Sequence, residues 1–332
     1  MKAVLLKDKL QSFAIEDIEK PMPLAGEVLV KIYAAAFNHR DLWIQKGQYA
    51  GLKFPIVLGS DGCGVIEAAG EGISFDLIGK EVIINPSCHW GENEKVQSKQ
   101  YKILGLPDNG TFAEYVTVSQ NNIAPKPEHL THEEAAALPL AGLTAWRTLF
   151  SRAQCQAGQK ILITGIGGGV ALFAMQFAVA AGAQVFVTSG NEDKIKKAIH
   201  LGAIAGVNYK QENWHKQLLE EYGGFDIIID SAAGEGFPKL IDIANPGASI
   251  VFYGGTTGNI AALNPQKIFW KQLNILGSTM GSNQDFANMV NFVNTHQLKP
   301  IIDEVFPMEK AQKAIERMEQ REQFGKIVLK IL

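Results

Sequence analysis

The sequence is poor in cysteine and carries almost no excess charge. Its three cysteines, Cys63, Cys88 and Cys155, are scattered, and residues 1–6 read as a strand rather than an export signal. This odd set argues against a disulfide framework and predicts a reducing, cytoplasmic location. The 31 basic and 34 acidic residues leave a net charge of −3. Such a balance argues against nucleic acid or an anionic membrane as a partner and favours a small-molecule substrate.

A long hydrophobic run is also missing. The longest apolar stretch, 170–183, covers fourteen residues and includes Gln176, whereas a membrane-spanning helix needs about 20. Internal repeats and low-complexity segments are absent, and 46% of the residues are apolar against 20% charged. This composition is typical of a globular protein, and the length predicts about two domains.

The pattern of strands and helices changes along the chain. Residues 1–123 contain many short β-patterned runs separated by turn residues. From about Gly158, apolar strands alternate with helical periods, which predicts βαβ units and an α/β fold with a doubly wound parallel sheet of the Rossmann type. The strands after residue 264 are too few for a third domain. We therefore predict a dinucleotide-binding domain over 124–264 and a strand-rich catalytic domain built from 1–123 and 265–332.

A glycine-rich loop joins the first strand and the first helix of the alternating region. The residues that we expect to bind the cofactor here are Gly165, Gly167, Gly168, Gly169 and Val170. Glycines let the backbone approach a pyrophosphate, whose charge meets the free N–H groups and the positive end of the helix. The strand–turn–helix context makes this motif stronger than isolated glycines that serve only a tight turn.

The end of the next strand predicts which dinucleotide binds. It carries no carboxylate to accept hydrogen bonds from a ribose 2′-hydroxyl; instead Ser189 is followed by Lys194, and Tyr209 ends the next strand. Hydroxyls and a cation suit the 2′-phosphate of NADPH. Glu192 and Asp193 lie in the same turn and favour the alternative, NADH.

Three motifs in this order resemble the medium-chain dehydrogenase/reductase superfamily. Leu58–Val65 is similar to its G-H-E-x-x-G-x-V signature, and Gly110–Val116 is similar to its G-x-F-A-E-Y segment. The loop Gly165–Ala171 resembles the form found in the zinc-free quinone oxidoreductase branch. The resemblance covers nearly the whole chain and implies a GroES-like catalytic domain, a Rossmann domain and a homodimer.

Superfamily members that oxidise alcohols hold a catalytic zinc. At the three ligand positions that the resemblance identifies, this sequence has Asn38, Ser60 and Leu140. The lobe that holds a structural zinc in relatives offers only Cys88, and tetrahedral zinc cannot be built from one thiol. His39 and the Cys88-His89 pair remain as scattered candidates. We expect no metal site.

Without a Lewis acid, hydrogen-bond donors must stabilise the oxygen charge that develops during reaction. The stretch from Asn38 to Tyr49 resembles the active-site segment of the zinc-free branch, although Trp43 stands where some relatives have a second tyrosine. The resemblance implies Asn38 and Tyr49 as catalytic donors, with Asp41 as a polar partner. In the alternative, Asn38 is a turn-former and Tyr49 an ordinary loop aromatic.

Further cofactor contacts are predicted at the carboxyl ends of later strands, where ligands bind in open α/β sheets. Ser231 follows one such strand, and Gly254 and Gly255 follow the next. By resemblance, Thr144 contacts the nicotinamide, and Lys326 faces the cofactor. A surface lysine at a strand end is the alternative for Lys326.

These features together predict a zinc-independent oxidoreductase that uses NADPH to reduce quinones or α,β-unsaturated carbonyls. Two alternatives stay open at this point. The first is a zinc-type alcohol or aldehyde dehydrogenase whose ligand set is misaligned with the motif. The second is a non-catalytic NADPH-binding protein.

Overall fold

The computed structural model describes residues 1–332 and divides into two compact units. The first unit comprises Met1–Leu143 and Gly281–Leu332, and the second comprises Thr144–Met280. Both ends of the chain therefore belong to one unit, and the central segment forms the other. None of the helices combines the length and the apolar character that a membrane crossing demands.

Eighteen strands and ten α-helices follow one another along the chain. The strands are β1 (Lys2–Leu6), β2 (Ala14–Asp17), β3 (Glu27–Ala36), β4 (Ile56–Val57), β5 (Asp61–Ala69), β6 (Glu81–Ile84), β7 (Ser87–Cys88), β8 (Lys102–Ile103), β9 (Tyr115–Ser119), β10 (Ile123–Pro125), β11 (Lys160–Ile163), β12 (Gln184–Ser189), β13 (Ala205–Asn208), β14 (Phe225–Asp230), β15 (Ala244–Phe252), β16 (Asn274–Gly277), β17 (Ile302–Pro307) and β18 (Lys326–Lys330). The helices are α1 (His39–Gln45), α2 (His132–Ala137), α3 (Pro139–Trp146), α4 (Gly169–Ala180), α5 (Glu192–His200), α6 (Trp214–Tyr222), α7 (Phe237–Ile243), α8 (Pro265–Trp270), α9 (Asn283–His296) and α10 (Ala311–Glu319).

The first unit is built on a seven-stranded sheet with the order β10-β6-β5-β3-β18-β17, in which β9 also pairs with β3. The C-terminal strand β18 pairs antiparallel with β3 and parallel with β17. A smaller sheet, β2-β1-β4, joins the same hydrophobic core. The long strand β3 thus connects the N-terminal segments with the returning C-terminal segment.

The second unit contains a six-stranded parallel sheet with the order β13-β12-β11-β14-β15-β16. Its inner strands are buried apolar runs, such as Ile161–Ile163 and Ile227–Ile229, as expected where helices cover both faces of a sheet. The strand order reverses between β11 and β14, the place where open α/β sheets bind ligands. The predicted α/β fold with a Rossmann domain is confirmed.

The boundaries of the two units differ from those predicted at 123/124 and 264/265. The strand β10 pairs with β6, and α2 packs on β3 and β5, so residues 124–143 stay in the first unit. The strand β16 pairs with β15 and extends the parallel sheet, so residues 265–280 belong to the second. The sequence pattern identified these elements but contained no signal for the sheet edge that each one joins.

Candidate active site and cofactor site

The glycine-rich loop leads from β11 to α4 and requires glycine at two positions. Gly165 has φ +66° and Gly167 has φ +123°, a region that L side chains rarely adopt. A Cβ atom at Gly165 would lie 2.8 Å from the Ser231 hydroxyl, and one at Gly167 would lie 2.9 Å from Cδ of Lys194. The loop therefore holds its backbone close to side chains from two other segments of the unit.

The N-terminus of α4 fits a phosphate group. Gly168 is the N-cap residue, with φ −78° and ψ 153°, and it supplies no side chain to cap the helix. A Cβ atom at this position would meet nothing within 4 Å, so the space in front of the helix is open. The N–H groups of the first turn, at Gly169 and Val170, have no acceptor inside the helix. These free donors and the helix dipole suit the pyrophosphate of a dinucleotide.

The structure gathers the residues predicted to select NADPH. A Cβ atom at Gly190, directly after Ser189, would lie 2.8 Å from the Tyr209 hydroxyl and 2.9 Å from Cε of Lys210. The side chain of Lys194 packs against Gly167 of the phosphate loop. Sequence reasoning did not assign a role to Lys210, although this lysine directly follows Tyr209. Two lysines and two hydroxyls thus lie around the end of β12.

A buried carboxylate at the end of β14 fixes the neighbouring loop. Asp230 accepts a hydrogen bond of 2.6 Å from the Thr164 hydroxyl and one of 2.7 Å from the backbone N–H of Ala233. Burial raises the pKa of Asp230, while the hydrogen bond from Thr164 opposes this shift. A Cβ atom at Gly254 would lie 2.6 Å from the carbonyl oxygen of Ser231. The predicted positions Ser231 and Gly254 therefore meet.

The other two predicted cofactor positions of the second unit differ in exposure. Thr144 is buried, and its hydroxyl lies 3.9 Å from the sulfur of Met280. Gly255 is exposed, and a Cβ atom there would come no closer than 3.9 Å to Gly258. The nicotinamide contact of Thr144 stays a prediction, as does the cofactor contact of Gly255.

In the first unit, Asn38 belongs to a fully connected polar cluster with Asp61 and Lys326. The ammonium group of Lys326 donates three hydrogen bonds: one of 2.7 Å to Oδ1 of Asn38, one of 2.8 Å to Oδ2 of Asp61 and one of 2.8 Å to the carbonyl oxygen of Phe37. Nδ2 of Asn38 donates a hydrogen bond of 2.9 Å to Oδ2 of Asp61, the oxygen that also accepts from Lys326. The backbone N–H of Leu140 donates 2.8 Å to Oδ1 of Asp61.

This cluster decides one of the alternatives for Lys326. The side chains of Lys326 and Asp61 are 3% and 0% exposed, so the prediction of a surface lysine is wrong. The reason is that β18 lies between β3 and β17 rather than at an edge of its sheet. The cofactor contact of Lys326 stays a prediction. Sequence reasoning missed Asp61, although it occupies the acidic position of the G-H-E-like motif.

Asp41 is buried, and its carboxylate accepts a hydrogen bond from the backbone. Its Oδ2 accepts a hydrogen bond of 2.8 Å from the N–H of Asn38, within a capping box at the start of α1. The other oxygen, Oδ1, has no hydrogen-bond partner. Burial raises the pKa of Asp41 from 3.8 to about 6, against the opposing effect of the Arg40 charge. Asp41 thus positions Asn38 and α1.

This pKa predicts a pH-dependent contribution of Asp41 to stability. The folded state holds the proton of Asp41 more tightly than the unfolded chain does. Ionisation of Asp41 therefore lowers the free energy of unfolding as pH rises from about 4 to 6. The full effect is about 3 kcal/mol. The variant Asp41→Asn keeps an acceptor for the N–H of Asn38 and cannot titrate. We expect its free energy of unfolding, measured with urea from pH 4 to 7, to decline less than that of the wild type. If the unfolding free energies of Asp41→Asn and the wild type changed in parallel with pH, the raised pKa of Asp41 would be contradicted.

Arg40 is the third polar residue of this segment, and sequence reasoning did not assign it a role. Its Nη1 donates two hydrogen bonds of 2.8 Å, one to the Ser60 hydroxyl and one to the carbonyl oxygen of Leu104. The guanidinium carbon lies 5.2 Å from the ring centroid of Tyr49. Tyr49 is half-buried, and its other contacts are with the hydrophobic core of the unit. Asn38, Arg40 and Tyr49 are thus held by the same short segment.

The side chains at the expected zinc positions do not fit that metal. They offer the amide of Asn38, the hydroxyl of Ser60 and the aliphatic side chain of Leu140. The guanidinium of Arg40 donates a hydrogen bond to the Ser60 hydroxyl. Zinc in proteins prefers thiolate, imidazole and carboxylate ligands, and a fixed positive charge opposes a second cation. The structure brings together no group of three or more His, Cys, Asp or Glu side chains that could hold a metal ion.

Comparisons with known proteins agree with the fold. A family model described as alcohol dehydrogenase GroES-like domain matches residues 24–128, and one described as zinc-binding dehydrogenase matches residues 169–295. A solved structure described as NAD-dependent alcohol dehydrogenase is 37% identical, with a TM-score of 0.94 and full coverage of both chains.

Curated relatives carry names from two branches. The chain is 37% identical to the zinc-type alcohol dehydrogenase-like protein YogA of Leptosphaeria maculans, over 95% of this chain and 93% of that protein. It is 30% identical to a quinone oxidoreductase of Mus musculus, over 93% of this chain and 88% of that protein. The protein is therefore an oxidoreductase that belongs to the medium-chain dehydrogenase/reductase superfamily.

Proposed function

We propose that the protein is a zinc-independent, NADPH-dependent oxidoreductase that reduces quinones or α,β-unsaturated carbonyls by hydride transfer. The observation that carries this proposal is the side-chain set Asn38, Ser60 and Arg40, which supplies hydrogen-bond donors and one fixed positive charge where alcohol-oxidising relatives hold zinc. The names of the relatives include both zinc-type and quinone-reducing proteins, so they do not choose between the two chemistries.

The proposed chemistry needs only groups that this chain contains. NADPH, when bound, supplies a hydride, and a conjugated acceptor takes it at carbon while negative charge moves onto the distant oxygen. Hydrogen-bond donors can stabilise such an oxygen without a Lewis acid. Tyr49, a half-buried residue, offers its hydroxyl for this purpose. Asn38 is engaged by Asp61 and Lys326, which fix its amide and leave one N–H free.

We assign NADPH rather than NADH on the charges around β12. Ser189, Tyr209, Lys194 and Lys210 supply hydroxyls and cations for a 2′-phosphate, and the carboxylate of Glu192 accepts a hydrogen bond of 2.9 Å from Asn208. We expect Lys194→Glu to weaken NADPH binding by about 1.5–3 kcal/mol, the scale of a charge-assisted hydrogen bond, while sparing NADH. Fluorescence titration of both cofactors measures this.

A matched control for this substitution lies on the same helix. Lys196→Glu makes the same charge change at a side chain that is 71% exposed and lies near Asp193, and we expect it to leave NADPH binding within about twofold, since an exposed pair contributes little. If Lys194→Glu weakened the binding of NADPH and of NADH equally, the proposed contact between Lys194 and the 2′-phosphate would be wrong.

A homodimer remains part of the proposal. β16 is an edge strand of the parallel sheet, and the preceding helix α8 carries Phe269 and Trp270, which are 63% and 84% exposed. Neighbouring exposed aromatics next to an open strand edge are typical of an interface between protein chains. Light scattering should give twice the 36.2 kDa of one chain; a mass of one chain would reject the dimer.

The experiment that tests the function follows NADPH and NADH oxidation across a panel of quinones, enals and enones. We expect turnover with conjugated acceptors and a preference for NADPH. Oxidation of saturated alcohols as the main activity would favour the zinc-type dehydrogenase instead. NADPH binding without turnover of any acceptor would favour a non-catalytic cofactor-binding protein.

A further inference from the structure

Arg40 is a buried cation without an ion-pair partner. The residue is 8% exposed, yet no salt bridge within 4.0 Å involves it, and both acceptors of Nη1 are neutral oxygens. The Arg40 charge attracts the neighbouring Asp41, but the two form no ion pair within 4.0 Å, and Asp41 directs one carboxylate oxygen to the N–H of Asn38. Lys326 occupies the carboxylate of Asp61. Buried charges in proteins are normally paired, so an unpaired guanidinium indicates a site for an anion.

Two features leave part of this guanidinium available to a ligand. Nη2 donates to no group of the chain, and it is not among the enclosed polar atoms that lack a partner, so solvent reaches it. Nη1 is held rigidly by Ser60 and Leu104, and Ser60 in turn donates 2.8 Å to the same carbonyl. The free edge of the group is therefore fixed in direction before any ligand binds.

Tyr49 lies beside the free edge with its own proton available. Nε of Arg40 is 3.5 Å from the Tyr49 oxygen, and the guanidinium carbon is 5.2 Å from the ring centroid. An arginine can only donate hydrogen bonds, so the Tyr49 oxygen faces it as an acceptor and its O–H is turned towards another group. We infer that a ligand oxygen beside this edge accepts from both Tyr49 and Nη2.

We propose that Arg40 is a catalytic residue that binds the carbonyl oxygen of a conjugated substrate and neutralises the charge that this oxygen gains. The proposal rests on the proposed function and deepens it, because it names an enolate or hydroquinone oxygen as the group recognised. Arginine keeps its positive charge at every physiological pH. It thereby supplies at the Ser60 position the positive charge that a metal ion supplies in zinc-type relatives.

With NADPH bound and an enone as substrate, the nicotinamide hydride would form a C–H bond at the β-carbon. The C=C π electrons would shift to form a C=C bond to the carbonyl carbon, and the carbonyl π electrons would move onto oxygen. The resulting enolate oxygen is held by Arg40 and Tyr49. A proton from solvent then adds to the α-carbon. The oxidised cofactor would be NADP⁺, and the product would be the saturated ketone.

The test compares Arg40→Met and Arg40→Lys with the wild type. We expect Arg40→Met to lower kcat/KM for a conjugated acceptor by about 10²–10³-fold, the effect of losing one preorganised donor, with the NADPH dissociation constant unchanged. Arg40→Lys should retain part of the activity, because it keeps the charge but loses the fork that reaches Ser60 and the ligand together. In Arg40→Ala, millimolar guanidinium ion should restore activity several-fold, a recovery that a purely structural role would not give.

A binding measurement separates this proposal from the proposed function. 4-Nitrophenol serves as a probe, since its phenolate absorbs in the visible range and carries charge on one oxygen. We expect the wild type to lower the pKa of the bound probe and Arg40→Met to abolish that shift, whether or not turnover is found. Activity of Arg40→Met within threefold of the wild type, or an unchanged shift of the probe, would overturn the role of Arg40. Absence of turnover in the wild type with the shift intact would instead reject the proposed reaction.

Discussion

Gly168→Asp should bind NADPH at least 10²-fold more weakly while folding as well as the wild type or better. The aspartate would occupy the N-cap of α4, where φ and ψ are already extended and a Cβ atom meets nothing within 4 Å. Its carboxylate can accept from the first-turn N–H groups and complements the helix dipole, which adds about 0.5–1 kcal/mol to the free energy of unfolding. The same carboxylate takes the donors that the pyrophosphate needs and repels its charge.

Gly168→Asn is the matched control for this substitution. It has the same size and also caps the helix, but it carries no charge. We expect it to keep only the part of the stability gain that comes from capping, a few tenths of a kcal/mol, and to weaken NADPH binding less than the aspartate does. Calorimetric titration and urea unfolding of the three proteins measure both effects. If Gly168→Asp bound NADPH as tightly as the wild type, the glycines would serve only a tight turn and the cofactor would bind elsewhere.

Lys326→Met should lower the free energy of unfolding by about 3–5 kcal/mol, because it leaves the buried carboxylate of Asp61 without its cation. The side chain of Asp61 is 0% exposed, and the ion pair is 2.8 Å long. The substitution also frees the amide of Asn38, so we expect activity to fall in the fraction that remains folded. Urea unfolding and kcat/KM, measured on the same preparation, report the two consequences separately.

Two further variants isolate the buried charge as the cause. Lys330→Met removes a lysine from the exposed end of the same strand and should change stability by less than about 0.5 kcal/mol. The double variant Asp61→Asn/Lys326→Met removes both charges and should recover part of the loss, since no uncompensated carboxylate remains. A Lys326→Met protein within 1 kcal/mol of the wild type would show that the pair is not a stabilising unit.

The features that the sequence predicted well depend on local signals. The loop from Gly165 to Gly169 combines glycines with a strand before it and a helix after it, and the structure has positive φ at Gly165 and Gly167. The alternation of strands and helices after residue 158 likewise predicted the parallel sheet. In these cases the physical cause, backbone freedom or burial on both faces, is contained in a few consecutive residues.

The first unit was harder to predict because its polar contacts join distant segments. Asp61 and Lys326 are 265 positions apart, and the local pattern of β18 fits a surface lysine as well as a buried one. The acceptors of Arg40 lie 20 and 64 positions away from it. Only the pairing of β18 with β3 and the packing of the Leu104 segment reveal that these side chains meet. The boundary at β16 escaped prediction for the same reason, since strand pairing decides it.

We propose that reduction by this protein proceeds without zinc and requires a conjugated acceptor. The most direct measurement compares NADPH oxidation with an enone and with the corresponding saturated ketone, on protein whose zinc content has been determined and again after treatment with a chelator. We expect far less than one zinc per chain, turnover of the enone that the chelator leaves unchanged, and no comparable turnover of the saturated ketone. One zinc per chain, with activity that is lost to the chelator and restored by added zinc, would contradict it.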